Sequence, residues 1–322
     1  MSELAWQGHE AAWREWRAAL ASPRLHHGWL LAGPQGLGKG HFARVAAAAL
    51  VAEEGVPQPP LEAHPDILIP EHPPATREDE KKREEGLPYA KKRAIPVDEI
   101  RRLQHRLITR PTLGSRRVVI LDPADDLETA AANALLKSLE EPPAGTYFLL
   151  VTHRPGRLLP TVRSRCRVLR FAPLGDAAVA AILAGAVPGA DGATRAAAVA
   201  AAKGSPGAAL SYVESGLGAA HGLMRAMLAE GDADLSRRGA LAQELGARPA
   251  REVMQATLDL ARAVLAGALR DAPKPAQARI IDAHGALVRL AAEAPTHNYD
   301  PGLLAMAIGA LLAGCAMPKT AR

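Results

Sequence analysis

GPQGLGKG, residues 33–40, decides how the rest of the chain is read. The apolar run GWLLA (residues 28–32) leads into it, and HFARVAAAALVA (residues 41–52) leads out with the composition of a helix. A glycine-rich turn between a buried strand and a helix N-terminus presents backbone N–H groups to a phosphate. Gly33, Gly38 and Lys39 meet the phosphate-loop pattern G-x-x-x-x-G-K, with Lys39 placed to reach β- and γ-phosphate oxygens. Gly40 departs from it, because a serine or threonine there would supply a hydroxyl to a magnesium ion. Read alone, the stretch is also compatible with a glycine-rich turn carrying an exposed lysine. The flanking strand and helix favour the phosphate loop.

The same alternation continues downstream. Val97, Ile100, Leu103 and Leu107 fall on one face of a predicted helix in VDEIRRLQHRL. RRVVILD (residues 116–122) is an apolar strand ending in an acid. AANALLKSLEEPP (residues 131–143) is a helix stopped by Pro142, and TYFLLVTH (residues 146–153) is another strand. Strands alternating with helices predict a parallel sheet covered on both faces, an α/β fold. Beyond about Phe171 the strand signals vanish and Ala-rich helix takes over, broken near KGSPGAAL (residues 203–210) and residues 272–275. Residues 53–93 are rich in proline and charge, and composition predicts a mobile surface insertion there.

Composition narrows the class. The chain has 322 residues, 48% hydrophobic and 23% charged, with a formal charge of +5 and only 3% aromatics. Such scarcity predicts cores built from Ala, Leu and Val. A pI near 9.4 is compatible with work beside an anionic polymer or with a solvated basic surface. Cys166 and Cys315 are too few for a disulfide framework or a four-cysteine zinc site, which points to the reducing cytoplasm. The opening MSELAWQGHEAAWREW lacks the apolar segment of a secretory leader. GLLAMAIGALLAGCAM (residues 302–317) is short for a membrane span and reads as a buried helix.

An acid at the end of a strand beside the phosphate loop completes a nucleotide site, and Asp122 stands there. A hydrolysing enzyme of this kind places a glutamate next, to activate water, where this chain has Pro123. Asp125 and Asp126 read as helix N-cap residues rather than as a substitute base. The segment TYFLLVTHRPGRLLPTVRSRCRVLRF then adds Thr152 at a strand end and Ser164-Arg165-Cys166. Arg163, Arg165 and Arg167 alternate, which is consistent with projection from one side of an extended segment.

Together these motifs resemble the clamp-loader branch of AAA+ proteins, and within it the delta-prime subunits of bacterial DNA polymerase III. The resemblance rests on the phosphate loop, the strand ending at Asp122, the box from Asn133 to Pro143, Thr152, and Ser164-Arg165-Cys166. HPD at residues 64–66 and KGSPGAAL add to it, and it covers roughly residues 22–215. It implies an AAA+ core over residues 1–171, a helical lid over 172–212 and a helical collar over 213–322 through which subunits form a ring.

It implies that Arg165, flanked by Ser164 and Cys166, is an arginine finger acting in trans on ATP bound by a neighbour. Thr152 is the sensor 1 residue of a degenerate site made of Gly33, Gly38, Lys39 and Asp122. Function is lost there at Gly40, Pro123 and Gly207, the last standing where motor subunits carry the sensor 2 arginine. The implied partners are gamma/tau motor subunits and a delta subunit, with the sliding clamp and primer-template DNA reached through the complex. No catalysis is implied for this chain alone, only membership of a DNA-directed DNA polymerase (nucleotidyltransferase) holoenzyme and its clamp-loader ATPase. No cofactor is required, and any ATP or ADP is expected to bind weakly. Many clamp-loader subunits insert a four-cysteine zinc module after the phosphate-loop helix; residues 53–93 contain only His64 and His72, so no zinc and no other metal is expected. Two rival readings are a competent AAA+ ATPase motor and a DNA-binding accessory module using Arg154, Arg157, Arg163 and Arg170.

Overall fold

In the computed structural model the apolar runs pair side by side. The structure describes residues 8–22, 24–270, 272–294 and 299–316, which divide into two compact units, Gly8–Ala172 and the residues from Pro173 onward. In chain order the first unit contains α1 (Glu10–Leu20), β1 (Gly28–Ala32), α2 (Lys39–Val51), β2 (Ile67–Leu68), α3 (Arg77–Glu84) and α4 (Val97–Leu107). It continues with β3 (Arg117–Leu121), α5 (Thr129–Glu140), β4 (Thr146–Thr152), α6 (Pro160–Arg163) and β5 (Arg167–Arg170). All five strands are parallel, in the order β2-β3-β4-β1-β5. Helical spacing in the sequence runs from Trp6 to Leu20, and Trp6 lies outside the described residues.

The two faces of the sheet are filled differently. On one face Leu30, Val119, Leu121 and Leu150 meet Ile100, Leu103 and Leu107 of α4 and Ala131, Leu135 and Leu139 of α5. Truncating a fully buried residue such as Ile100 to alanine would cost about 2–5 kcal/mol. On the other face Trp16 packs edge-on to Trp29 with centroids 5.2 Å apart, and Phe42 lies 5.1 Å from Phe171 and 4.4 Å from Trp13. Trp13, Trp16, Trp29, Phe42 and Phe171 thus share one aromatic layer on this face, where composition predicted only small aliphatic packing, while Phe148 belongs to the other face.

Residues 53–93 also differ from expectation. β2 lies inside this stretch as a two-residue edge strand paired with β3. Its anchor is the HPD segment: Asp66 is buried and accepts hydrogen bonds from Thr112 N–H (2.8 and 2.9 Å) and Leu113 N–H (2.8 Å). Arg117 sits 3.5 Å from the same carboxylate and donates to the carbonyls of Arg106, Thr109 and Arg110. Further on, α3 forms without a core. Thr76 and Asp79 close a reciprocal capping box, and Asp79 also accepts from Ala90 N–H at 3.0 Å, holding the returning chain. Local capping supplies there what burial does not.

The second unit is wholly helical: α7 (Asp176–Ala186), α8 (Gly192–Ala202), α9 (Pro206–Glu214), α10 (Gly218–Glu230), α11 (Ser236–Leu245), α12 (Arg251–Ala268), α13 (Lys274–Glu293) and α14 (Pro301–Ala313). Its buried residues, from Val179 to Cys315, form one continuous core. KGSPG is a helix stop followed by a helix start: Lys203 takes the left-handed conformation (φ 47°), Ser205 caps α9 through Ala208 N–H, and Pro206 occupies the first turn. α14 is the apolar stretch near the C-terminus, buried through Leu304, Ile308 and Leu312. Among the described residues no helix is long and apolar enough to cross a membrane.

Candidate functional site

The phosphate loop joins β1, next to the sheet's edge, to α2. Gly38 takes φ 78° immediately before the first turn of α2, a conformation that favours glycine. Lys39 is only 2% exposed, and its ammonium donates to the loop's own carbonyls, Gly33 O at 2.7 Å and Pro34 O at 2.5 Å. Burial lowers its pKa from 10.5 to about 8, against the opposing pull of Asp122 and Asp125. His9 Nε2 donates to Leu37 O at 2.9 Å, fastening the residue before α1 to the loop.

Asp122, at the end of β3, is engaged by a residue the sequence reading did not single out. Arg44 Nη1 on α2 donates to Asp122 Oδ2 at 3.0 Å and to Gly40 O at 3.1 Å. A Cβ at position 40 would lie 2.1 Å from Asp122 Oδ2, so glycine leaves the space that the carboxylate fills. A magnesium ion does not fit this arrangement: position 40 offers no hydroxyl, and Asp122 Oδ2 is bonded to Arg44. Among the described residues no group of three His, Cys, Asp or Glu side chains is arranged to hold a metal ion.

Asp125 corrects the N-cap expectation. It accepts from Thr152 Oγ at 2.6 Å and from His153 N–H at 2.5 Å, tying the loop after β3 to the end of β4. The cap position of α5 is held by Glu128, with no side-chain cap bond. Asp126 instead pairs with His72 at 3.1 Å. Thr152, fully buried, is thus committed to Asp125. His153 has a lowered pKa, first through burial and then through Lys39, and its buried Nδ1 has no hydrogen-bond partner among the described residues. Pro123 follows Asp122 and contributes no ionisable group. Gly207 lies in the first turn of α9, in the helical unit.

The Ser164-Arg165-Cys166 segment is a tight turn between α6 and β5, not an extended segment, and the three alternating arginines part company. Arg163 donates to Pro155 O at 3.3 Å, whereas Arg167 pairs with Glu15 at 3.2 Å and lies over the Trp29 ring. Arg165, with its side chain one-third exposed, pairs with Glu140 at the end of α5 and donates to Thr161 O at 2.9 Å. Ser164 Oγ donates to Thr161 O at 3.1 Å. Cys166 is buried against Gly28, and burial pushes its thiol up to about 12. Its contribution is packing that seats the turn. Arg154, Arg157 and Arg170 are exposed. Glu140 stands in the box Asn133–Pro143, which marks it in the sequence, but only the fold brings it to Arg165.

A five-stranded parallel sheet of this order, with a glycine-rich loop after β1 and an acid after β3, defines a domain of the AAA+ fold. A family model described as DNA polymerase III, delta subunit matches residues 8–175, and the chain belongs to that family. A Pseudomonas aeruginosa protein named DNA polymerase III subunit delta' is 37% identical over 168 residues, 47% of this chain and 44% of its own. The Escherichia coli protein of that name is 49% identical over 86 residues, 27% of this chain and 26% of its own. A Mycobacterium bovis protein named DNA polymerase III subunit gamma/tau is 34% identical over 168 residues, 52% of this chain and 28% of its own. Each match spans less than half of the relative's length.

Proposed function

We propose that this chain is a non-hydrolysing, delta-prime-type subunit of a clamp loader, which lends Arg165 in trans to ATP held by a neighbouring motor subunit. The observation that carries this reading is a contrast within one domain. Lys39 of its own nucleotide site is buried and donates to the loop's carbonyls, and Asp122 is occupied by Arg44, whereas the Arg165 guanidinium, though paired with Glu140 and Thr161 O, is one-third exposed on the turn between α6 and β5. Hydrolysis needs an oriented water and a metal-neutralised phosphate, and Gly40 and Pro123 support neither. A finger needs only a guanidinium presented from outside the bound subunit.

On this reading gamma/tau-type motor subunits and a delta subunit are the direct partners. Residues 172–212 serve as a lid and residues 213–322 as the collar that joins a ring. The sliding clamp and primed DNA are reached through the assembly. The chain needs no zinc or other cofactor, and ATP or ADP binds weakly. Named relatives of delta-prime and gamma/tau type support these partners.

The test is Arg165→Ala in a complex reconstituted with motor and delta subunits. The variant should fold and assemble normally while ATPase and clamp loading fall. An Arg165→Ala complex that assembles and loads clamps at the wild-type rate sinks the assignment, as does robust ATPase from the isolated chain that Lys39→Ala abolishes.

A further inference from the structure

Asp122 stands where a nucleotide domain of this kind holds a divalent metal between a strand-end acid and a hydroxyl on the first turn of the loop helix. In this chain that position is closed. Arg44, one turn along α2 from Gly40, bridges Gly40 O (3.1 Å) and Asp122 Oδ2 (3.0 Å) through one Nη1. The carboxylate in turn fills the volume above Gly40: a Cβ there would meet Asp122 Oδ2 at 2.1 Å, Asp122 Cγ at 3.0 Å and Arg44 Nη1 at 3.1 Å. A hydroxyl-bearing side chain at 40 and the Arg44–Asp122 pair exclude one another in this geometry. Loss of the metal hydroxyl and gain of the ion pair are therefore one structural change, though residues 44 and 122 are far apart in sequence.

We propose that Arg44 is a resident cation that takes the metal's place beside Asp122, so that any nucleotide held by residues 33–40 binds without a divalent ion. A guanidinium suits the task. It remains charged at every physiological pH. Its terminal nitrogen carries two N–H groups, so a single Nη1 can serve the carbonyl and the carboxylate together. The side chains of Arg44 and Asp122 are 37% and 21% exposed, so the pair is shielded enough to hold and open enough to face a ligand. An ion from solution would have to displace a cation that is covalently part of the site. The inference rests on residues 33–40 being a degenerate phosphate loop and is independent of Arg165.

The experiment is calorimetric titration of the full-length chain with ADP, in Mg2+ and in EDTA. For the wild type the two affinities should agree within about a factor of two. Arg44→Ala should bind ADP on the order of tenfold more tightly in Mg2+ than in EDTA, because the ion relieves repulsion between an uncovered carboxylate and the phosphates. Adding Asp122→Asn should remove that gain, and Arg44→Lys should keep the wild-type indifference. Arg44→Gln, which retains hydrogen-bonding reach without charge, replaces Arg44→Ala if the alanine variant fails to fold. Wild-type binding tightened tenfold by Mg2+ overturns the proposal. So does a folded Arg44→Ala or Arg44→Gln chain with an unchanged ratio, or with no ADP binding in either buffer. ATP turnover by the wild-type chain would sink the non-hydrolysing reading instead, which keeps the two failures distinguishable.

Discussion

Two cationic regions of the same domain have opposite fates. Around residues 33–44 the positive groups are bonded within the site: the buried Lys39 donates to loop carbonyls, and Arg44, itself partly exposed, donates to Asp122. At the turn before β5, Arg165 is held by Glu140 and Thr161 O yet stays partly exposed at the surface. The difference teaches how a phosphate loop can keep its backbone while its charges are satisfied from within. The scaffold depends on glycine φ angles and apolar strands, whereas the charges depend on which partners a few side chains find.

The comparison can be broken most forcefully at Arg165. In an assembled complex, Arg165→Lys should restore only part of the ATPase lost in Arg165→Ala, since an ammonium lacks the planar fork. The total at stake at one site is on the order of a thousandfold. Full rescue by lysine, measured as single-turnover hydrolysis, would reduce the role to simple charge.

Next comes Lys39. Its folded pKa of about 8 lies below the usual 10.5. Between those values the unfolded chain binds the extra proton, so stability should rise with pH across that window. One proton contributes at most ~1.4 kcal/mol per pH unit. Denaturant melts of wild type and Lys39→Met should differ by this slope; parallel pH profiles would show the ammonium to be solvated.

A smaller loss, about 1–3 kcal/mol, is expected for Gly40→Thr, because the new Cβ must push Asp122 away. The hydroxyl alone should not restore ATP turnover while Pro123 remains. Gain of hydrolysis by this single substitution would contradict the inward satisfaction of the site.

The smallest effect belongs to Glu140→Gln. The pair with Arg165 is exposed, so the melting temperature should hardly move. ATPase of the assembled complex should nevertheless drop several-fold if Glu140 aims the guanidinium. An unchanged rate would make the pair incidental.

Much of this was legible in the chain itself. β1, β3 and β4 are continuous apolar runs, and Ile100, Leu103 and Leu107 repeat at helical spacing, so local pattern and tertiary burial agree. β2 was hidden because two residues among prolines and charges carry no periodicity; the buried Asp66 clasp makes it a strand. Arg44, Glu140 and the role of Asp125 were equally hidden, since each acts on a partner from a different element. The alternation of Arg163, Arg165 and Arg167 misled for a local reason: Pro160 starts a helical turn that ends at Arg163, and a strand period does not apply across it.

The short strands at the two borders of the sheet have a consequence for association. β2 offers only Ile67 and Leu68 to a neighbour, and β5 presents Arg167 and Arg170, both exposed, along its four residues. Short or charged borders discourage another chain from extending a sheet by backbone pairing, the usual route to fibrous aggregates. A chain of this kind is thereby steered toward partners through side chains, and packing of many copies at high concentration is kept from propagating as a continuous ribbon.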